Sequence, residues 1–317
     1  LITDGIWAYQ RNNYGYRNLR SFPLMPNFFG LPYIDVRLSF NSFIPADLDE
    51  SLAGRLVDYY INRLLKRPTL HDKVEFEIVF SCYTLDLPQR LNRLLSEGFL
   101  EKEIEEITSS LRNLTNRIVH PKEGLWREDQ KRIHVLQYRR NELLNSNADL
   151  VERIYWLIED AKRYGTLPFA GLARAGFIAI QMLKSLVSIG IFSETDYDAF
   201  LSSLSTVSGK LARDRAILDK TNFLSHYGHL RPGTYDILSP RYDEKPDLYF
   251  DWTNQPNQPK EVKPFSMSLP QMREIMKLFD HHRLSLDPIG FFNFIQSAIE
   301  LREFAKFHFS RNISDVL

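Results

Sequence analysis

The segment His226-Tyr227-Gly228-His229-Leu230-Arg231-Pro232-Gly233-Thr234-Tyr235-Asp236 gathers two imidazoles, a guanidinium, two glycines, a proline and a carboxylate. No hydrophobic core needs that mixture. A loop that bends sharply and offers polar groups to a ligand uses all of it. Gly228 and Gly233 permit positive φ or close backbone approach, and Pro232 fixes the bend. Arg231 can fork onto a carboxylate or phosphate. His226 and His229 are imidazoles, a group that can serve as acid, base or phosphate ligand near neutral pH. Arg241 follows beside Pro240, giving a second cation next to a second proline. The plainer reading of the same residues is a structural loop, with Arg231 paired to Asp236 and the imidazoles closing a helix end.

Two further groups carry candidate chemistry. Ile295, Arg302 and Phe309 are spaced by seven, within about 20° of one helix face. Arg302 thus interrupts an apolar stripe, and Lys306 follows one turn later, about 40° around. Two cations beside apolar surface can seat an anion; pairing with Glu300 and Glu303, or snorkelling stems, is the plainer account. The strip Tyr9 to Arg20 interleaves tyrosines with Arg11, Arg17 and Arg20. It can stack bases and grip phosphates, or it can pack on helices through its rings.

The whole chain sets bounds. Its 317 residues carry 40 Lys and Arg against 40 Asp and Glu, which argues against nucleic acid as the main partner. The single cysteine, Cys82, excludes an internal disulfide and cysteine-based zinc sites, fits a cytoplasmic location, and is expected in the core. Adjacent His281 and His282 point to different helix faces, so no metal site is expected. The chain has no Gly-x-Ser-x-Gly elbow, no Walker-type loop and no Rossmann glycine fingerprint. The apolar run from Leu167 to Phe192 is broken by Arg174 and Lys184, so it reads as a buried helix and no membrane partner is expected. The start lacks Met and a basic signal region, suggesting a segment of a longer polypeptide.

Positioning such groups requires a mainly α fold, a multi-helix domain with a small mixed α/β N-terminal part. Alternation over 32–40 and over 73–82 predicts strands there. Leu48, Leu52, Leu56, Tyr60 and Leu64 predict a helix between them, begun near Pro45 and Asp47. From residue 88 the pattern is helical. Ile104, Ile107, Leu111, Leu114 and Ile118 form a seam ended by His120-Pro121. Helices follow near 127–146, 149–164, 168–190, 194–226, 269–283 and 288–309. Gly165 and Gly190 are expected C-caps, Ser193 with Asp196 a capping box, and Ser268 an N-cap. The reading is therefore a mixed part over 1–87 and a helical domain over 88–317, with a long proline-rich loop at 228–270.

The run Tyr-Gly-His-Leu-Arg-Pro-Gly-Thr-Tyr-Asp-Ile-Leu-Ser-Pro-Arg-Tyr (227–242) resembles the middle region of phosphoenolpyruvate synthase-like proteins, relatives of rifampicin phosphotransferase. In these a Tyr-Gly-His-Arg-type motif leads to a Pro-Arg pair. The segments Thr166-Leu-Pro-Phe-Ala-Gly-Leu-Ala-Arg-Ala-Gly-Phe-Ile-Ala179, Leu301-Arg-Glu-Phe-Ala-Lys-Phe-His-Phe-Ser-Arg-Asn-Ile-Ser-Asp315 and Arg17-Asn-Leu-Arg-Ser-Phe-Pro-Leu24 are similar to the same group.

The resemblance implies a division of labour. An ATP-grasp domain phosphorylates a histidine on a swivelling domain, which exchanges the phosphoryl group with an acceptor at a second site. The family's Thr-Gly-Gly-x-x-Ser-His phosphohistidine motif is absent from this chain, as is an ATP-grasp half. The chain therefore corresponds to the acceptor-binding region. ATP and Mg2+ would belong to the parent enzyme, with no cofactor held here. The ATP-grasp and phosphohistidine domains, in the same or a separate chain, are the implied partners, together with a small-molecule acceptor. Arg302-Glu303-Phe304-Ala305-Lys306 matches the Arg-Glu-x-x-Lys helix of the rifampicin-type relatives, implying that Arg302 and Lys306 hold phosphate. His229 would be the base, with Arg231, Arg241, His226, Tyr227, Arg17 and Arg20 binding the acceptor. Such a fragment binds but does not turn over alone. The rival reading is a non-catalytic helical module for protein interaction or regulation. The enzyme reading requires His229, Arg231, Arg302 and Lys306 to converge on one pocket.

Overall fold

The computed structural model describes residues 5–231, 238–254 and 264–317, which form a mainly helical fold with a small N-terminal α/β part. Helix α1 (Ile6–Asn13) leads to a hairpin of β1 (Asn27–Phe28) and β2 (Leu31–Pro32), then α2 (Val36–Asn41) and α3 (Glu50–Lys66). Short α4 (Val74–Glu77) and α5 (Leu87–Leu91) precede α6 (Glu101–Val119) and α7 (Trp126–Leu144). Helix α8 (Leu150–Asp160) runs through a π-helical turn (Ala161–Thr166) into α9 (Leu167–Ser188). Then come α10 (Glu194–Ser202), α11 (Val207–Ile217), α12 (Lys220–Tyr227), α13 (Pro246–Tyr249), α14 (Leu269–His282) and α15 (Pro288–Val316).

The helix signals hold where side chains cap the backbone. Asp49, two residues beyond the Asp47 expected to begin the helix, accepts from Leu52 N (3.0 Å) and starts α3. Ser193 with Asp196, and Ser268 with Gln271, form capping boxes at α10 and α14. The periodic seam of α6 is buried, and His120 ends the helix before Pro121. The single helix expected over 194–226 is instead three. Thr206 accepts from Gly209 N (3.1 Å) and Asp219 from Asn222 N (2.9 Å), so each opens a new helix within the run. Gly165 is not a C-cap either; it lies inside the π turn that carries α8 into α9.

The strands lie elsewhere than expected. Among the described residues the paired strands are Asn27–Phe28 and Leu31–Pro32, antiparallel, with one isolated bridge between Tyr16 and Pro45. Asp35 accepts from Leu38 N (2.9 Å) and turns 36–41 helical. Of the segment 73–82, Val74–Glu77 is α4. The buried stretch that follows pairs with no strand, because side chains satisfy its backbone. Phe80 N donates to Tyr60 Oη (3.1 Å), and Tyr83 N to Thr115 Oγ1 (2.7 Å). Ser81 O accepts from Tyr16 (2.7 Å), and Leu85 N donates to Ser185 Oγ (3.3 Å). A buried chain must place its polar groups somewhere, and here helices provide the partners that a sheet would.

Buried apolar residues from Tyr14 to Ala305, on both sides of position 87, form one contiguous cluster. Helix α15 lies against α7, α8, α9, α11 and α14. The continuous helix Leu150–Ser188 is long and apolar enough to cross a membrane, yet 67% of its apolar window is buried inside this fold. Its apolar face is thus spent on α7 and α15. The hairpin, by contrast, leaves Phe22, Met25, Phe28, Phe29, Leu31 and Ile34 exposed.

Candidate functional site

The loop that follows α12 is folded back onto itself and onto the end of α15. Tyr242 N donates to Leu230 O (2.9 Å) and Asp243 N to Gly228 O (3.1 Å), which sets 240–243 beside 228–230. Gly228 takes an ordinary helical φ of −56°, so positive φ is not its role. It is needed for space: an added Cβ would sit 2.8 Å from the Cβ of Asp243. Pro232, Gly233 and Asp236, named as parts of the motif, lie outside the described residues.

Four guanidiniums gather where this loop meets the last turns of α15. Arg231 Nε donates to Ser239 O (3.0 Å), and its Nη1 donates to Ser314 Oγ. Ser314 Oγ in turn donates to His229 O (2.8 Å). Arg241 forks onto Asp243 (2.9 and 2.7 Å) and lies 3.6 Å from Asp315. Arg140, from α7, donates through Nε to Asp315 Oδ2 (2.7 Å). Arg311 reaches Ser225 O (3.3 Å), while its buried Nε has no hydrogen-bond partner among the described residues. Asp315 therefore ties two of the four cations, with Asp243 and Glu244 at Arg241. Burial lowers the pKa of Arg311, and nearby Arg140 and Arg241 add to that against Asp315.

Two imidazoles sit in this field. His229 is 4% exposed, edge-on to Phe307 at 4.6 Å, and neither ring nitrogen has a partner among the described residues. Burial, then Arg311, Arg241, Arg140 and His308, pushes its pKa down to about 3. Burial with Arg311, Arg140 and His134 lowers His308 to about 4. Both rings are neutral at pH 7, so each offers one N–H donor and one lone pair. His229 as placed is too weak a base for the role expected of it at neutral pH. A bound anion would offset the guanidiniums and raise its basicity.

Arg302 and Lys306 are elsewhere. Arg302 crosses α9, its guanidinium 5.6 Å from the Phe177 ring, and Lys306 is exposed. Nine residues separate Arg302 from Arg311, placing them on opposite sides of α15 and about 13 Å apart along it. The convergence of these cations with His229 and Arg231 does not occur, since one straight helix cannot turn both faces to one ligand. Glu300 and Glu303 do not pair with Lys306; they accept from Ser205 N (2.7 Å) and Ser208 N (3.1 Å) at the start of α11.

The other expected site residues divide similarly. Tyr227 is buried, and its hydroxyl donates to Asp214 (2.7 Å). Burial and that carboxylate raise its pKa. His226 is exposed, with Nδ1 2.9 Å from Asn222 O. Arg17 pairs with Glu50 and donates to Asn41 (3.1 Å), lining an open cavity of about 660 Å³ beside α1 and α2. Arg20 lies over Tyr9 at 4.5 Å and donates to Asn12 (2.9 Å). Tyr14 and Tyr16 are buried, so the N-terminal strip presents no ladder of rings for bases.

Sequence reasoning missed Arg140, His308, Arg311, Ser314 and Asp315. Arg311 and Asp315 are four apart on one helix, a legible spacing for a shared charged face. Nothing local marks Arg140, which arrives from α7 by tertiary packing alone. Set against known protein families, curated proteins and solved structures, the chain matches none of them.

Proposed function

We propose that the chain is an acceptor-binding region of a phosphoenolpyruvate synthase-like phosphotransferase, and that its anionic ligand is held at the end of α15. The observation that carries this reading is the gathering of Arg140, Arg231, Arg241 and Arg311 around two neutral, buried imidazoles. Phosphoryl transfer depends on positioning and on cations that meet negative charge, and guanidiniums suit that task. The phosphohistidine that supplies the phosphoryl group would come from a domain outside this sequence. Arg302 and Lys306 do not belong to this ligand site.

The test is calorimetric titration with phosphoenolpyruvate and with inorganic phosphate, comparing the native chain with Arg231→Gln/Arg241→Gln. Loss of two charge-assisted contacts should weaken binding at least about tenfold. Equal affinity in both proteins would refute the site. The chain with ATP alone should leave ATP intact, and transfer to a candidate acceptor should require an added phosphohistidine domain.

The second reading, a helical interaction module, is favoured by one observation. The hairpin exposes Phe28 and Phe29 at its turn, with Phe22 and Ile34 beside them, an apolar patch of the kind found at protein contacts. Retention of a partner protein with phosphate binding absent would select it.

A further inference from the structure

A second charged cluster lies far from the loop, between α1, α4 and α9. Arg174 of α9 has a side chain with 0% exposure and is ion-paired to Glu75 of α4. Arg11 of α1 lies 3.6 Å from the same carboxylate oxygen, Glu75 Oε1. The two guanidiniums share walls: Arg11 is 5.8 and 4.8 Å from the rings of Tyr16 and Phe43, and Arg174 is 5.9 and 5.0 Å from them. Phe177 closes a third side at 5.9 Å from Arg174, with Phe76 edge-on to it at 5.6 Å.

This is not a closed ion triad. Such a triad is tolerable in a protein interior only when its remaining N–H groups find acceptors. Here Arg174 Nε and Nη1 and Arg11 Nη1 are buried without a hydrogen-bond partner among the described residues. Glu75 Oε2 is a buried acceptor that likewise has none among them. Leaving charged donors unsatisfied is more costly than leaving neutral ones, so these groups call for an acceptor-rich occupant. Two guanidiniums against one carboxylate leave one positive charge in excess. Glu75 Oε2 can take one proton from the occupant in a hydrogen bond. Arg11 and Glu75 keep 17% and 15% side-chain exposure, while Arg174 keeps none.

We propose that Arg11 and Arg174, with Glu75 between them, form a second binding site for a small monovalent oxyanion. A monovalent hydroxyl-bearing phosphate satisfies the donors, neutralises the excess charge and can donate one hydrogen bond to Glu75, whereas a small carboxylate satisfies the donors and the charge alone. The site is independent of the arginine cluster at the end of α15, because no residue is shared between them.

The test uses the full chain carrying Arg231→Gln/Arg241→Gln, so that the other cluster is disabled. Inorganic phosphate and acetate are titrated separately in chloride-free buffer; the two arms distinguish a phosphoryl from a carboxylate ligand. Binding of either anion should persist in this background. Adding Arg11→Gln should weaken it about tenfold or more, and adding Glu75→Gln should tighten acetate, which offers the carboxylate no hydrogen bond and meets only its negative charge. Circular dichroism confirms that each variant is folded, and the Glu75→Gln arm decides the matter should Arg11→Gln unfold. Absence of binding in the background protein, or binding indifferent to both added substitutions, overturns the proposal and leaves the triad structural.

Discussion

Asp129→Asn should abolish a specific pH dependence of stability. Asp129 is 4% exposed; Tyr14 donates to its Oδ2 at 2.7 Å, and Arg132 lies 3.4 Å from its Oδ1. Burial is the largest influence and raises its pKa from 3.8 to about 7, although Tyr14 and Arg132 both favour the carboxylate. The folded state therefore binds this proton more tightly than the unfolded chain does. The stabilisation is fully present below about pH 4, is lost as pH rises towards 7, and stays lost above that. Each tenfold in proton affinity is worth about 1.4 kcal/mol, so the full effect is roughly 4 kcal/mol. Asparagine keeps a neutral acceptor for Tyr14 and does not titrate. Urea unfolding of both proteins from pH 4.5 to 8.5 should show the variant gaining on the native chain until about pH 7, then a constant difference. Stability curves that run parallel across that range would refute the argument that burial outweighs the two partners.

Two further outcomes are expected. Gly171→Ala should destabilise by roughly 1–3 kcal/mol, because a Cβ there would sit 1.8 Å from Asp129 Oδ2 and 2.8 Å from the Tyr14 hydroxyl. A raised denaturant midpoint would show that helix propensity outweighs the close approach. Cys82 is 2% exposed and burial pushes its thiol up to about 12, so alkylation at pH 8 should proceed only at the rate of unfolding; fast labelling of the native chain would contradict this.

The helices were legible where the apolar period ran unbroken, as in α3, α6 and α15, and where a capping residue marked the start, as in α10 and α14. The strand over 73–82 was misread for a definable reason. Alternation reports burial on one face, not the identity of the hydrogen-bond partner, and those partners are Tyr60, Thr115, Tyr16 and Ser185. The candidate site was half visible. His229, Arg231 and Arg241 announced themselves by clustering in a bent loop. Arg302 and Lys306 were legible as cations on an apolar stripe, but their orientation relative to that loop was not.

The sequence by itself determined the mainly helical class, the ends of several helices and a polar loop rich in cations. These follow from local spacing and from side chains within four residues of the backbone they cap. Only the tertiary structure decided which cations share a neighbourhood. Arg140 joins Arg241 through Asp315, itself 175 positions away from Arg140 in sequence, and Arg11 meets Arg174 across Glu75. Charge acts through space at a few ångströms, whereas spacing along a chain fixes neighbours only within one helix. The face of α9 that meets α1 and the face of α15 that meets the loop are set by packing, and packing sorts the arginines into separate clusters.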